Sequence, residues 1–585
     1  MAADHRHRGE IVAPHGAADG APVLADPTSV PGYPEATKLF GHAATRFNAR
    51  DYTGAAALFR EVTRRVPGMV AAHNNLGVTL RLAGDDAAAA AAFRRAIEIA
   101  PDYATAHANL GLTLRARGEF ADAVEAFRRA AALDPGNAEL QSHLASAYAA
   151  LGRHDLAVAH FRRATELRPD FPIAYANLGM ALTELNRWDE AVAAYERATA
   201  LDPDDASIRV NLAFARDDPA GIAEAEAQCR RLIAARSNLP EAHNALGLVL
   251  QKQNRLGESL ESYRRATALK PDFLPAVINE SLVLLLLGRY EEGWPKYEWR
   301  RRLPMLRRNE RTLPLWQGED IAGKSILLHS EQGFGDTIQF LRYVPLVAER
   351  TRHVVLEIPR PLVRMAASLP IENVTIVPNN RPPPAADVHA PLLGLPGIFQ
   401  TRVDNIPGGV PYLMPRRPLV ERWERRLAAD TRFKVGLAWA GNPEHKGNRS
   451  RSLNLGRFAP LLAVRDIGWY GLQVGPPAEE IKRLPTDTVI DLSPQLTDFA
   501  ETAGAILNLD LVIAVDTAVA HLAGALARPT WIMIAFSPDW RWLLNRDDSP
   551  WYPSVRLYRQ PAPGDWDNVI ARVAADVAAA AARRA

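Results

Sequence analysis

AAHNNLGVTLRLAGDDAAAAAAFRRAIEIAPDYATAHANLGLTLRARGEFADAVEAFRRAAALDP, residues 71–135, holds one pattern twice. Asn75-Leu76-Gly77 returns as Asn109-Leu110-Gly111, Phe93 as Phe127 and Pro101 as Pro135, each after 34 residues. Outward from this stretch the step persists. Phe59, Phe93, Phe127, Phe161, Tyr195, Cys229, Tyr263 and Tyr297 form one series; Pro67, Pro101, Pro135, Pro169, Pro203 and Pro271 form another. Proline suits a boundary between helices, because it ends one and starts the next. A fixed period of this size signals a stacked array.

The period, the Asn-Leu-Gly triplet and the Ala-x3-aromatic-x7-Pro pattern resemble tetratricopeptide repeats. About eight are expected, from about residue 34 to about 305. The sixth is irregular, with Asp217-Asp218-Pro219 in its turn and Pro240 displaced; the eighth (GRYEEGWPKYEWRRR) is degenerate and expected to cap the solenoid. Such arrays present an extended concave surface, so a protein partner is expected. Asn75, Asn109, Asn177, Asn211 and Asn279 share one repeat position on the first helices, with His143 and Ala245 in the gaps. A ladder of carboxamides there could hold an extended peptide by its backbone, each offering donor and acceptor. Alternatively the same amides brace neighbouring backbone.

Around the array, composition sets limits. The chain has 585 residues, 48% hydrophobic and 23% charged, a globular balance. Lys+Arg total 69 against Asp+Glu 67, so nothing demands a nucleic-acid partner. The single cysteine, Cys229, excludes an internal disulfide and a cysteine-based zinc site, which fits a cytoplasmic location. The stretch Ile506–Phe536 is the most apolar, yet Asp510, Asp516, His521 and Arg528 interrupt it. Residues 1–33 lack periodicity and are expected to be a disordered leader without a signal peptide.

After Trp316 short β-branched runs alternate with helical stretches. Strands are expected at 325–330, 353–359, 373–377 and 387–392 (residues 306–412), then at 434–439, 468–474, 488–492, 510–515, 530–536 and 555–559 (residues 413–585). Alternation of this kind implies parallel, doubly wound sheets in two lobes. A charged linker and helix (PRRPLVERWERRLAADTR) joins them.

Three loops at strand ends carry candidate chemistry. Ser330–Thr337 (SEQGFGDT) contains Gly333, Gly335 and Asp336: Gly-x-Gly admits a ligand close to backbone, and Asp336 sits where a helix cap would sit. The third glycine of a dinucleotide fingerprint is absent. The segment 440–452 (AGNPEHKGNRSRS) offers Asn442, Lys446, Arg449, Arg451 and Ser452, the groups a diphosphate needs or merely a solvated basic loop. Asp516–His521 (DTAVAH) leads from a buried strand into a helix whose first amides suit an anion, with His521 facing the cleft or packing.

From about Leu315 to Asp576 the chain resembles glycosyltransferases of the bacterial heptosyltransferase type (family 9). The matching stretches are WQGEDIAGKSILLHSEQGFGDTIQFLRYVP, GLAWAGNPEHKGNRSRSL, DLVIAVDTAVAHLAGAL and FSPDWRWLLNRDDSPWYP. The resemblance implies an α-solenoid followed by an α/β GT-B fold of two Rossmann-like lobes, and metal-independent transfer without a cofactor from a nucleotide sugar. It puts the general base on Asp336 and the donor phosphates at Asn442, Lys446, Arg449, Arg451, Ser452, Gln473, Asp516, Thr517 and His521. Where many relatives have Gln-Lys, this chain has Gln473-Val474. In joining repeats to such a domain, the chain also resembles the nucleocytoplasmic O-linked N-acetylglucosamine transferase and bacterial flagellin glycosyltransferases. That architecture implies an inverting transfer to Ser or Thr of a protein acceptor held by the repeats, with flagellin one candidate. Trp540 and Trp542 could line a sugar or base pocket or pack under the closing helix, and His389 could face the acceptor. Alternatives are a lipid- or polysaccharide-directed transferase and a silent nucleotide-sensing scaffold; a nicotinamide oxidoreductase is weakest, lacking the fingerprint.

Overall fold

The computed structural model describes residues 33–216, 219–303, 312–442 and 448–583, without the side chain of Arg449. The expected leader (residues 1–32 of it), Lys446 and the Arg449 side chain therefore lie outside the described residues. The chain divides into two compact units between Arg216 and Asp217, within the turn of the irregular sixth repeat.

The first unit is a run of helical hairpins: Tyr33–Asn48 with Tyr52–Arg65, Val70–Leu82 with Asp86–Ile99, Ala104–Ala116 with Phe120–Leu133, Ala138–Ala150 with His154–Leu167, and Pro172–Glu184 with Trp188–Leu201. It ends on Ala206–Arg216. The second unit opens with Pro219–Ala235 and two more hairpins, Pro240–Lys252 with Leu256–Leu269 and Leu274–Leu286 with Tyr290–Tyr297.

Two constraints explain the period. Each of these hairpins turns on one left-handed residue, and Arg50 (φ 63°), Gly84 (87°), Gly118 (79°), Gly152 (69°), Asn186 (56°), Asn254 (57°) and Gly288 (74°) supply it in step. Position 220 is alanine and breaks the series, at the sixth repeat. The glycine of Asn-Leu-Gly makes room for the aromatic of the second helix: a Cβ on Gly111 would lie 2.8 Å from the fully buried Phe127 ring.

The asparagine ladder needs correction. Successive first helices pack on one another, which brings their asparagines within reach. Asn109 Nδ2 donates to Asn74 Oδ1 of the preceding repeat (3.0 Å), and Asn279 Nδ2 donates likewise to Asn244 Oδ1 (3.1 Å). Asn75 is fully buried and cannot line a groove. Asn177 and Asn211 are half-buried. Bracing between repeats is thus one real use of this position.

Beyond the helices lie two parallel sheets. The first contains β1 (Ile321–His329), β2 (Thr351–Ile358), β3 (Val374–Pro378) and β4 (Val388–Pro391) in the order β3-β2-β1-β4. The second contains β5 (Phe433–Ala438), β6 (Ile467–Gly471), β7 (Ile490–Asp491), β8 (Leu511–Val515), β9 (Thr530–Ile534) and β10 (Val555–Arg559) in the order β10-β9-β8-β5-β6-β7. The linker helix Arg417–Leu427 packs on Phe499–Leu507, and the Trp423 indole N–H donates to Glu501 Oε2 (3.0 Å).

Within the second unit the final hairpin shares one core with both sheets. Trp294 Nε1 donates to the carbonyl of Thr401 (2.8 Å), and the same indole meets Trp540 edge-on at 5.4 Å. Trp551 Nε1 donates to Tyr290 Oη (3.1 Å). Arg300, 2% exposed, pairs with the buried Glu331 (2.7 Å). The degenerate last repeat does cap the array, by merging its core with that of the two sheets. Trp294→Ala should cost about 3–5 kcal/mol. Hydrogen exchange should then show the 395–401 segment losing protection together with Tyr290–Tyr297; loss confined to the hairpin would refute a shared core.

Candidate active site at the sheet switch points

The second sheet has a doubly wound arrangement in which the strand order reverses between β5 and β8; in the first it reverses between β1 and β4. Ligands of such sheets bind beyond the carboxyl ends of the strands at that reversal. The loops after β1, β5 and β8 are the three singled out from sequence.

After β1 the chain turns into the helix Phe334–Phe340. Asp336 Oδ2 accepts from the Gly333 N–H (3.0 Å), so the capping role is realised. Its Oδ1 accepts from the Arg541 guanidinium of the second lobe. Gly335 faces the helix Ala518–Ala525; a Cβ there would lie 2.8 Å from His521 Cδ2. The glycine is needed for this close approach.

Arg541 is 7% exposed. Its Nε donates to Gln339 Oε1 (2.7 Å), another nitrogen donates to Asp539 Oδ1 (2.9 Å), and its face lies 4.4 Å from the Trp540 ring centroid. Burial works against its charge, but Asp539 and Asp336 outweigh that and raise its pKa. Asp539 is pushed up by burial and pulled further down by Arg541, so it stays ionised.

His521 is buried. Its Nδ1 is 3.0 Å from Tyr552 Oη, its ring stacks on Trp542 at 5.2 Å, and its Nε2 is 3.8 Å from Asp516 Oδ1. Burial, then the Arg541 charge, pushes its pKa down to about 3, so the imidazole is neutral near pH 7. Burial raises the pKa of Asp516 despite Arg451 at 3.7 Å.

Thr517 Oγ1, Gln339 Nε2 and Arg451 Nε are among the buried polar atoms here that lack a hydrogen-bond partner among the described residues. Thr517 precedes the first residue of Ala518–Ala525, so its hydroxyl adjoins the free amides of a helix start. Orphaned buried groups require an explanation, and a bound anion supplies one.

Other expected residues sit differently. Gln473 Oε1 accepts from the backbone N–H groups of Trp439 (3.1 Å) and Ala440 (2.9 Å), so its carbonyl shapes the loop after β5. Ser452 Oγ accepts from the Gly441 N–H (2.9 Å), bracing the same loop, and Asn442 is exposed. His389 is buried against His329, ring on ring at 5.3 Å. Trp540 belongs to the shared aromatic core and Trp542 supports His521. Arg541 has no role among the sequence-based expectations; its position between two aromatics and beside an aspartate was the available signal.

Comparison with known proteins bears on the helical part. Tetratricopeptide repeat models match residues 40–104, 100–138, 108–172 and 143–206, and a further one matches 240–273. The N-terminal region is therefore built of tetratricopeptide repeats. Protein FlbA of Caulobacter vibrioides is 27% identical over 350 residues, 54% of this chain and 56% of that protein; the chain spans a little over half the length of this curated relative. Among solved structures, YrrB, described as a repeat protein with an unusual peptide-binding site, is 20% identical with a TM-score of 0.25 (38% of this chain, 98% of that one). A tetratricopeptide repeat protein from Parabacteroides merdae is 15% identical with a TM-score of 0.38 (43% and 99%).

The buried imidazole generates a pH prediction. The unfolded chain protonates His521 near 6.5, whereas the folded chain refuses the proton until about pH 3. Stability should therefore fall as pH drops through that window. His521→Gln should flatten the slope of Tm against pH between 6.5 and 4, and an unchanged slope would contradict a buried neutral imidazole.

Proposed function

We propose that the protein is a glycosyltransferase of GT-B type, carrying a sugar from a nucleotide-activated donor to Ser or Thr of a protein acceptor recruited by the repeats. The observation that carries this reading is the convergence of Asp336, at the first sheet's reversal, with the Asp516–His521 helix start at the second's. Further support comes from the orphaned Thr517 hydroxyl and from an array whose repeat class binds proteins.

In the proposed reaction the acceptor hydroxyl oxygen attacks the anomeric carbon and its proton passes to the Asp336 carboxylate. The bond from that carbon to the phosphate oxygen breaks, and its electron pair leaves on the nucleoside diphosphate. Developing charge falls to the Thr517 hydroxyl, the helix-start amides and Arg451. Arg541 and the Gly333 N–H fix the carboxylate's orientation. No step requires a metal or a cofactor. A nucleotide-sensing scaffold is the second reading, favoured because both Asp336 oxygens are engaged.

The test is incubation of the full chain with uridine, adenosine, guanosine and cytidine nucleotide sugars and purified flagellin as first acceptor, read by mass spectrometry of Ser/Thr peptides. A hexose- or heptose-sized mass shift is expected, and Asp336→Asn should lower it roughly 100-fold or more while still binding donor. A variant transferring at the wild-type rate would reduce Asp336 to a cap and a brace. If no nucleotide sugar is consumed with or without acceptor, the scaffold reading takes its place.

A further inference from the structure

After β9 ends at Ile534 the chain runs through a loop into the short turn Trp540–Trp542, which bears Arg541. Arg541 orients the Asp336 carboxylate, so whatever holds this loop also holds the carboxylate. The far end of the loop is held by the last hairpin, whose rings enclose Trp540. The near end is held by the seventh repeat. Asn254, in the turn between Pro240–Lys252 and Leu256–Leu269, donates from Nδ2 to the carbonyl of Phe536 (2.5 Å). Ser537 Oγ donates to the carbonyl of Gln251 in the same repeat (3.4 Å). The Phe536 N–H donates to Gln560 Oε1 (2.9 Å), so residue 536 is fixed through both its N–H and its carbonyl.

Asn254 does more than its turn requires. The turn needs a left-handed residue (φ 57°), and other repeats meet that need with Gly84, Gly118, Gly152 and Gly288. Glycine enters this conformation without steric cost, so the turn alone calls for no side chain. The turn is also braced from behind. Arg255 Nη1 donates to both carboxylate oxygens of Glu226 (2.8 and 2.7 Å), and Gln253 Nε2 donates to Glu226 Oε2 (3.0 Å). Glu226 belongs to Pro219–Ala235, so the sixth repeat fixes the turn of the seventh. The Asn254 amide is therefore a donor on a rigid support, bonded to the backbone of the loop that carries Arg541. Contiguous bonded contacts of this kind are what carry coupling between distant groups.

We propose that Asn254 is a positioning residue for the reaction at Asp336, acting through the Phe536–Arg541 segment to fix the guanidinium and with it the carboxylate. The inference rests on the glycosyl-transfer reading and deepens it, because it makes the repeats part of what sets the general base. A displacement of the seventh repeat is then felt at Asp336.

Asn254→Gly in the full chain is the test, since it keeps the turn and deletes only the amide. A residue that serves the turn alone tolerates this change; a positioning residue does not. Hydrogen exchange read by mass spectrometry needs no substrate. Exchange across 333–340 should quicken together with that across 536–542, by roughly fivefold or more, the scale of an ordinary coupling. Asn254→Asp, which sets a carboxylate against the Phe536 carbonyl, should loosen both segments further; if it folds poorly, the glycine variant carries the test. Asn186→Gly, the same change at the turn of the fifth repeat, should leave both segments as they are. With wild type active, Asn254→Gly should lower kcat by a similar factor while the KM for donor stays within about twofold. Unchanged exchange at 333–340, or an unchanged kcat in an active enzyme, overturns the inference. If wild type consumes no nucleotide sugar but 333–340 still loosens, the glycosyl-transfer reading fails and the coupling of the seventh repeat to Asp336 stands.

Discussion

The guanidinium of Arg541 joins what the sequence keeps 205 residues apart. It is buried between Asp336 on the first sheet's loop and Asp539 on its own, with Gln339 at its Nε and Trp540 beneath its face. A charge so placed is tolerable because two carboxylates face it, and removing the guanidinium would leave both of them unpaired in low dielectric. The geometry of the cleft therefore hangs on this contact. It also ties the cleft to the helices, because Trp540, next in the chain, is clasped by Tyr290, Trp294 and Tyr297 of the last hairpin. The Arg300–Glu331 pair makes a second tie, from the end of the same hairpin to the loop that bears Asp336.

Around that contact the ionisable groups have divided roles. Arg541 holds Asp539 ionised and fixes the Asp336 carboxylate, while burial keeps His521 neutral. A neutral imidazole packed on Trp542 shapes the helix start without adding charge to it. The cationic work near Thr517 then falls to Arg451 and to backbone amides, whose partial charges need no counter-ion. Donors fixed before the ligand arrives are what stabilise charge that develops during a reaction.

Much of this architecture is legible in the sequence. The 34-residue step marks the hairpins because a left-handed turn residue recurs in most repeats, as at Gly118, and a glycine–aromatic contact in several, as at Gly111 with Phe127. All ten strands coincide with β-branched runs, their ends displaced by a few residues; the 468–474 run stops pairing at Gly471, where Gln473 turns to cap the neighbouring loop. Long-range pairing is the part that sequence does not display. Asp336 meets Arg541 through a contact that no periodicity encodes, whereas the Asn109–Asn74 bond follows the repeat and returns as Asn279–Asn244. Gln473 carries a polar side chain whose carbonyl the fold turns onto backbone, and residue type alone cannot distinguish that from a ligand contact.

A crystal structure of the full chain with a non-transferable nucleotide-sugar analogue, such as a phosphonate, tests the proposed cleft most directly. Diphosphate oxygens are expected within hydrogen-bond distance of Thr517 Oγ1 and the first amides of Ala518–Ala525. The anomeric carbon is expected on the side of Asp336. An analogue seated away from the reversal points of both sheets, with the Thr517 hydroxyl still unpartnered, would contradict the assignment.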